Sequence, residues 1–196
     1  MVDRMRLNEF APDLTPLDMA ASQEFASLLQ SATDLAIPHT PSVGYRSRHT
    51  VIRHQRFHFS EWGDPGKPQI LLLHGGNQSS HSWDLVSLHL ADRYHVFALD
   101  QRGHGDSEWS PELDYSIDAM VQDVVAFIAD RQMDRPLVFG HSMGGRIALR
   151  LALDSPGLVE RVVLIGTSPG LLDDDERDAR LERDLALADR LETLGL

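Results

Sequence analysis

The chain has 196 residues, a formal net charge of −12 and no cysteine. That length supports one domain, and the missing thiols exclude a disulfide scaffold, a thiolate zinc site and a cysteine nucleophile. The acidity sets the chain against nucleic-acid backbones and anionic membrane surfaces, and no apolar run approaches the ~18 residues of a membrane span.

Hydrophobic residues make up 42% and charged residues 24%, so a packed core is expected. The N-terminal stretch Met1 to Phe10 is charged and lacks the apolar segment of a secretory signal, so a cytoplasmic location is the default expectation. Residues 1–48 read as an N-terminal extension that packs loosely on the rest. Within it, Asp18 to Leu29 has helical periodicity through Met19, Phe25, Leu28 and Leu29, and Pro38, Pro41 and Gly44 break the pattern.

A core is expected over residues 49–170. Thr50 to Phe59 alternates and predicts strand with one face buried, and Asp64-Pro65-Gly66 predicts a turn. Four continuous apolar runs follow: Ile70–Leu73, His95–Leu99, Leu137–Phe139 and Val162–Ile165. Unbroken runs of this length fit strands covered on both faces. Ser82 to Arg93, Ile117 to Arg131 and Met143 to Leu153 lie between them and carry apolar residues at helical spacing. Strand–helix alternation predicts an α/β fold with a mostly parallel, doubly wound sheet, whose ligand site lies beyond the carboxyl ends of the strands. In residues 171–196 an acidic start, Asp173 to Glu176, precedes a stripe of Leu181, Leu185, Ala188 and Leu191, with Gly195 as a helix stop.

Three glycine-rich segments sit at strand ends. Gly140-His141-Ser142-Met143-Gly144-Gly145 joins a strand to a helix. A serine at so sharp a turn presents its hydroxyl, glycines at 140 and 144 avoid backbone clashes, and the helix N-terminus offers N–H groups to a developing oxyanion. His74-Gly75-Gly76-Asn77 ends the first apolar run and can aim an N–H at the same point. Asp100-Gln101-Arg102-Gly103-His104-Gly105-Asp106-Ser107 ends the second.

Together these segments resemble the α/β-hydrolase fold family over about Thr50 to Ser168. The resemblance implies Ser142 as nucleophile and the N–H groups of Gly76 and Met143 as an oxyanion hole. It implies a small-molecule acyl substrate, such as a carboxylic ester, and no cofactor or metal. The loop around Arg102 and Asp106 looks structural, and residues 171–196 look like the start of a cap. Family members that open epoxides or remove halides use an aspartate where this chain has Ser142. Carbon–carbon bond hydrolases and perhydrolases, which use serine, stay open.

Each residue also has a plainer reading. His74 and His104 are expected to be structural, because buried polar groups are normally paired. His81 is expected to face solvent or a cap, Trp83 to pack in the core, and the acidic run at 173–176 to be a solvated helix start.

A serine needs a base and an orienting acid, which in this family follow it in chain order. The last histidine here is His141. The expectation is therefore a piece of a longer hydrolase, lacking the C-terminal strands and most of the cap, and with them the acid and histidine of the triad. Its last strand would leave a bare edge prone to self-association. Two alternatives are a complete enzyme using His81 or His104 as a substitute base, and a non-catalytic small-molecule-binding module.

Overall fold

The computed structural model describes residues 23–40, 43–170 and 173–194. Six strands form one sheet: β1 (Tyr45–Ile52), β2 (Gln55–Trp62), β3 (Gln69–Leu73), β4 (His95–Leu99), β5 (Leu137–His141) and β6 (Arg161–Ile165), in the spatial order β1-β2-β4-β3-β5-β6. β2 runs antiparallel to both β1 and β4, and β3 to β6 are mutually parallel. The helices are α1 (Gln23–Asp34), α2 (Asp84–Leu90), α3 (Ile117–Asp130), α4 (Met143–Asp154) and α5 (Asp174–Leu194). This is the mostly parallel α/β architecture that the apolar runs predict.

Successive side chains of β3 and β4 enter opposite cores, with a period of two. Leu71, Leu73, Phe97, Leu99 and Val138 join one core with residues of α3 and α4, including Met120, Phe127, Ile147 and Leu151. Their neighbours Ile70, Leu72, Val96 and Ala98 join a second core with Trp83 and Leu88. Both faces of the central parallel strands β3 and β4 are therefore dry, which is why their sequences do not alternate.

Several boundaries differ from the sequence reading. The alternating stretch is a hairpin rather than one run, turning at Arg53 and His54, which both have positive φ (48° and 64°). Two positive φ values suit a two-residue hairpin turn, although the usual asparagine–glycine signal is absent. β2 is buried along most of its length because it lies between β1 and β4. Phe57 and Phe59 enter the first core and Trp62 the second, while His58 and Ser60 occupy the second face as hydrogen-bonded polar groups. The stretch from Ser82 splits into a 3-10 turn over Ser80–Trp83 followed by α2.

α1 is longer at its C-terminus than the periodicity suggests, and residues 18–22 of the expected helix lie outside the described residues. Phe25 and Ala32 of α1 are buried with Tyr45 and Trp62, and the Tyr45 and Trp62 rings stack at 4.4 Å. This part of the N-terminal segment thus belongs to a core rather than to the surface. At the other edge, β6 leaves Val163, Leu164 and Ile165 39–43% exposed. α5 forms the expected helix, with Asp173 accepting from the Glu176 N–H at its start, and none of its residues is buried. Gly195 lies outside the described residues. Among the described residues, no helix is long and apolar enough to cross a membrane.

Candidate active site

β3 lies between β4 and β5, so the chain crosses from one side of β3 to the other on passing from β4 to β5. A crevice forms at the carboxyl ends of the strands at such a reversal. The loops at 74–77, 100–107 and 140–145 all leave from that edge.

The tightest backbone is at the end of β5. Ser142 has φ 50° and ψ −109°, stands exposed, and precedes the first residue of α4 without capping it through its side chain. Non-glycine residues hold such angles only where the surroundings impose them, at a cost of about 1–3 kcal/mol. The surroundings are two close approaches. A Cβ on Gly140 would lie 2.4 Å from the Gly144 carbonyl oxygen, and a Cβ on Gly144 would lie 2.2 Å from the Leu73 carbonyl oxygen. Glycine at both positions lets α4 press against the end of β3.

Most backbone donors of the turn are occupied. The Ser142 N–H donates to the Ile165 carbonyl, the Gly144 N–H to the His74 carbonyl, and those of Gly145 and Arg146 to the Ser142 carbonyl. The Met143 N–H has no partner among the described residues. The neighbouring loop behaves likewise: the Gly75 N–H donates to Gln78 Oε1, and the Gly76 N–H has no such partner. The two loops touch. The Gly144 to His74 bond joins them at 3.1 Å, and a Cβ on Gly75 would meet the His141 ring at 2.8 Å.

Gln78 and Thr167 complete this arrangement, and no sequence spacing points to them. Gln78 Oε1 also takes a hydrogen bond from His141 Nδ1 at 3.1 Å. Thr167 Oγ1 donates to the Ser142 carbonyl and lies where a Cβ on Gly145 would be. The third glycine of the motif therefore makes room for the segment after β6.

The 100–107 loop is a structural support. Burial alone would raise the Asp100 carboxyl. Hydrogen bonds from His58 and the N–H groups of Ser80 and Asp106 outweigh it and hold it at about 2. His58, Asp100 and Asp106 could reach one metal ion, but His58 and these two amides already use both Asp100 carboxylate oxygens. A cation there would displace donors that already compensate the charge. Arg102 forms a two-pronged pair with Asp123 at 2.6 and 2.8 Å, both residues buried.

The other histidines are also engaged. His74 is fully buried and hydrogen-bonded at both ring nitrogens. His104 Nδ1 donates to the Arg102 carbonyl, and its ring lies 5.1 Å from that of His74. His81 donates to Asp84, which raises its pKa, and it borders a cavity of about 270 Å³ with Glu24, Phe25, Leu28 and Tyr45. Burial, together with the charges of Asp84 and Glu24, pushes the Tyr45 hydroxyl up to about 12. Neither His81 nor His104 is hydrogen-bonded to Ser142. Trp83 packs in the core.

A match to the alpha/beta hydrolase fold covers residues 68–191, from the start of β3 well into α5. The chain belongs to this family. An esterase of Mycobacterium tuberculosis is 34% identical over 111 residues, 57% of this chain and 36% of its own length. A soluble epoxide hydrolase of Corynebacterium sp. is 37% identical over 122 residues, 62% of this chain and 42% of its own length. Among solved structures, that of a putative lipase of Acinetobacter baumannii superposes with a TM-score of 0.63 at 28% identity, covering 76% of this chain and 48% of the other. The chain spans less than half the length of the curated relatives it matches, from 28% to 42%.

Proposed function

We propose that the chain carries the nucleophile and oxyanion site of a serine hydrolase acting on carboxylic esters or related acyl compounds. Ser142 Oγ attacks the carbonyl carbon and the oxyanion is held between the Gly76 and Met143 N–H groups; its collapse breaks the ester C–O bond and expels the alcohol, which takes up the serine proton, and water then hydrolyses the acyl-serine to the free acid and Ser142. One observation carries this reading. Around the bond that joins the two loops, the N–H groups of Gly75, Ser142, Gly144, Gly145 and Arg146 are spent on backbone or Gln78, while those of Gly76 and Met143, the latter directly after an exposed, strained serine, have no partner among the described residues.

The relatives include both an esterase and an epoxide hydrolase, and Ser142 favours the esterase side, since the aspartate of epoxide opening is absent from the turn. No base is hydrogen-bonded to the Ser142 side chain among the described residues. His81 is held by Asp84 and His104 by the Arg102 carbonyl, each through Nδ1, and neither is hydrogen-bonded to Ser142, so no contact favours the substitute-base alternative. Without a base, the oxyanion site alone is expected to leave about 10³-fold acceleration over water.

The test is a fluorophosphonate probe followed by peptide mass spectrometry, with p-nitrophenyl acetate turnover alongside. Modification at Ser142 that is lost in Ser142→Ala supports the proposal. Modification confined to other residues, with none at Ser142, sinks it. Saturable acyl-ligand binding without modification would favour the binding module.

A further inference from the structure

His74 is buried at the edge of this site and bonded through both ring nitrogens and its carbonyl, and no chemical step above uses it. Its Nδ1 lies 2.7 Å from the Gly75 carbonyl oxygen, and its Nε2 lies 3.0 Å from the Gln101 backbone nitrogen. Its own carbonyl accepts from the Gly144 N–H at 3.1 Å and from Gln101 Nε2 at 2.7 Å. Ring and carbonyl together tie the ends of β3 and β4 to the first turn of α4.

The two ring partners fix the tautomer. A backbone carbonyl only accepts and a backbone N–H only donates. The ring must therefore donate from Nδ1 and accept at Nε2, which is the neutral Nδ1–H form. Burial acts in the same direction and lowers the pKa of the ring, keeping it uncharged.

We infer that His74 is a positioning residue for oxyanion binding, its Nδ1–H pinning the Gly75 carbonyl so that the Gly76 N–H is turned to the Ser142 side. The link is peptide planarity. The Gly75–Gly76 peptide is trans, so its C=O and N–H point in opposite directions. Drawing the carbonyl inward onto a buried ring turns the amide outward. Flanking glycines would otherwise let this peptide flip at little cost. The Gly75 N–H is separately held by Gln78, which leaves the Gly76 donor as the one the lock orients. This inference rests on the serine-hydrolase reading for its purpose, but not for its geometry.

The experiment uses the full chain, ¹⁵N,¹³C-labelled. Long-range ¹H–¹⁵N spectra are expected to show His74 protonated at Nδ1 only, and unchanged across the range in which exposed histidines titrate. An Nε2–H or doubly protonated ring overturns the inference without any variant. Two substitutions then separate the lock from mere filling of space. Asparagine can place an N–H near the Nδ1 position, whereas leucine cannot. His74→Leu is expected to shift the Gly75 carbonyl and Gly76 amide resonances and to slow fluorophosphonate modification of Ser142 tenfold or more. His74→Asn should restore both towards the unaltered chain. Equal modification rates in His74→Leu and the unaltered chain, or resonances that do not separate Asn from Leu, refute the positioning role. If Ser142 is not modified even in the unaltered chain, the hydrolase reading fails. The tautomer and the Gly75 and Gly76 resonances then decide the lock by themselves.

Discussion

Replacing Gly144 with alanine is expected to disturb both halves of the candidate site at once. The new Cβ would lie 2.2 Å from the Leu73 carbonyl oxygen and 2.6 Å from that of His74. Both are backbone atoms at the end of β3, so no side chain can rotate away. Reaching ordinary contact requires α4 and β3 to separate by about 1 Å. Overpacking of this kind costs about 1–3 kcal/mol, and losing the Gly144 to His74 bond adds about 1 kcal/mol. In a chain of this size each kcal/mol lowers the melting temperature by about 2–4 °C, giving a fall of about 4–16 °C. The same separation carries the Gly76 N–H away from Ser142, and a misplacement of about 1 Å slows chemistry by roughly 10²-fold. Calorimetry and the rate of fluorophosphonate modification measure the two effects. Gly157→Ala is the control, since a Cβ there meets nothing within 4 Å, and it should leave both unchanged or stabilise slightly. If Gly144→Ala melts and reacts like Gly157→Ala, the close approach of α4 to β3 is not what shapes the site.

Three further outcomes are expected. Ser142→Gly should abolish modification yet raise the melting temperature by a few degrees, because relief of about 1–3 kcal/mol of backbone strain exceeds the entropy that glycine adds to the unfolded chain; an unchanged or lower melting point would show that the turn is not strained. The Asp100 carboxyl titrates at about 2 in the fold against an ordinary 3.8, so the stability it provides is present above pH 4 and is lost as pH falls towards 2, roughly 2 kcal/mol in all. Asp100→Asn should flatten that acid limb in melts from pH 4 to pH 2, and equal slopes would contradict the hydrogen-bond account. Self-association through β6 is expected in sedimentation velocity, and Leu164→Lys should reduce it; a chain monomeric at every concentration would remove the edge as a pairing surface.

The sequence by itself determined the layered architecture, because unbroken apolar runs such as Ile70–Leu73 are stable only between two covering layers. It also determined where the turn at Ser142 falls, since glycines at 140 and 144 are needed wherever a strand reverses into a helix against another backbone. Tertiary structure alone decided the rest. The hairpin turn at Arg53–His54 has no local signal, because its positive φ values are imposed by pairing of β1 with β2. The burial of Phe25 and Ala32 depends on Tyr45 and Trp62, which lie far along the chain. The sequence likewise offers several N–H groups in the glycine loops. Only when residues 74, 78, 101, 144 and 165 converge do hydrogen bonds occupy the Gly75, Gln101, Ser142 and Gly144 donors and leave those of Gly76 and Met143 without a partner among the described residues, since a donor's availability depends on what folds against it.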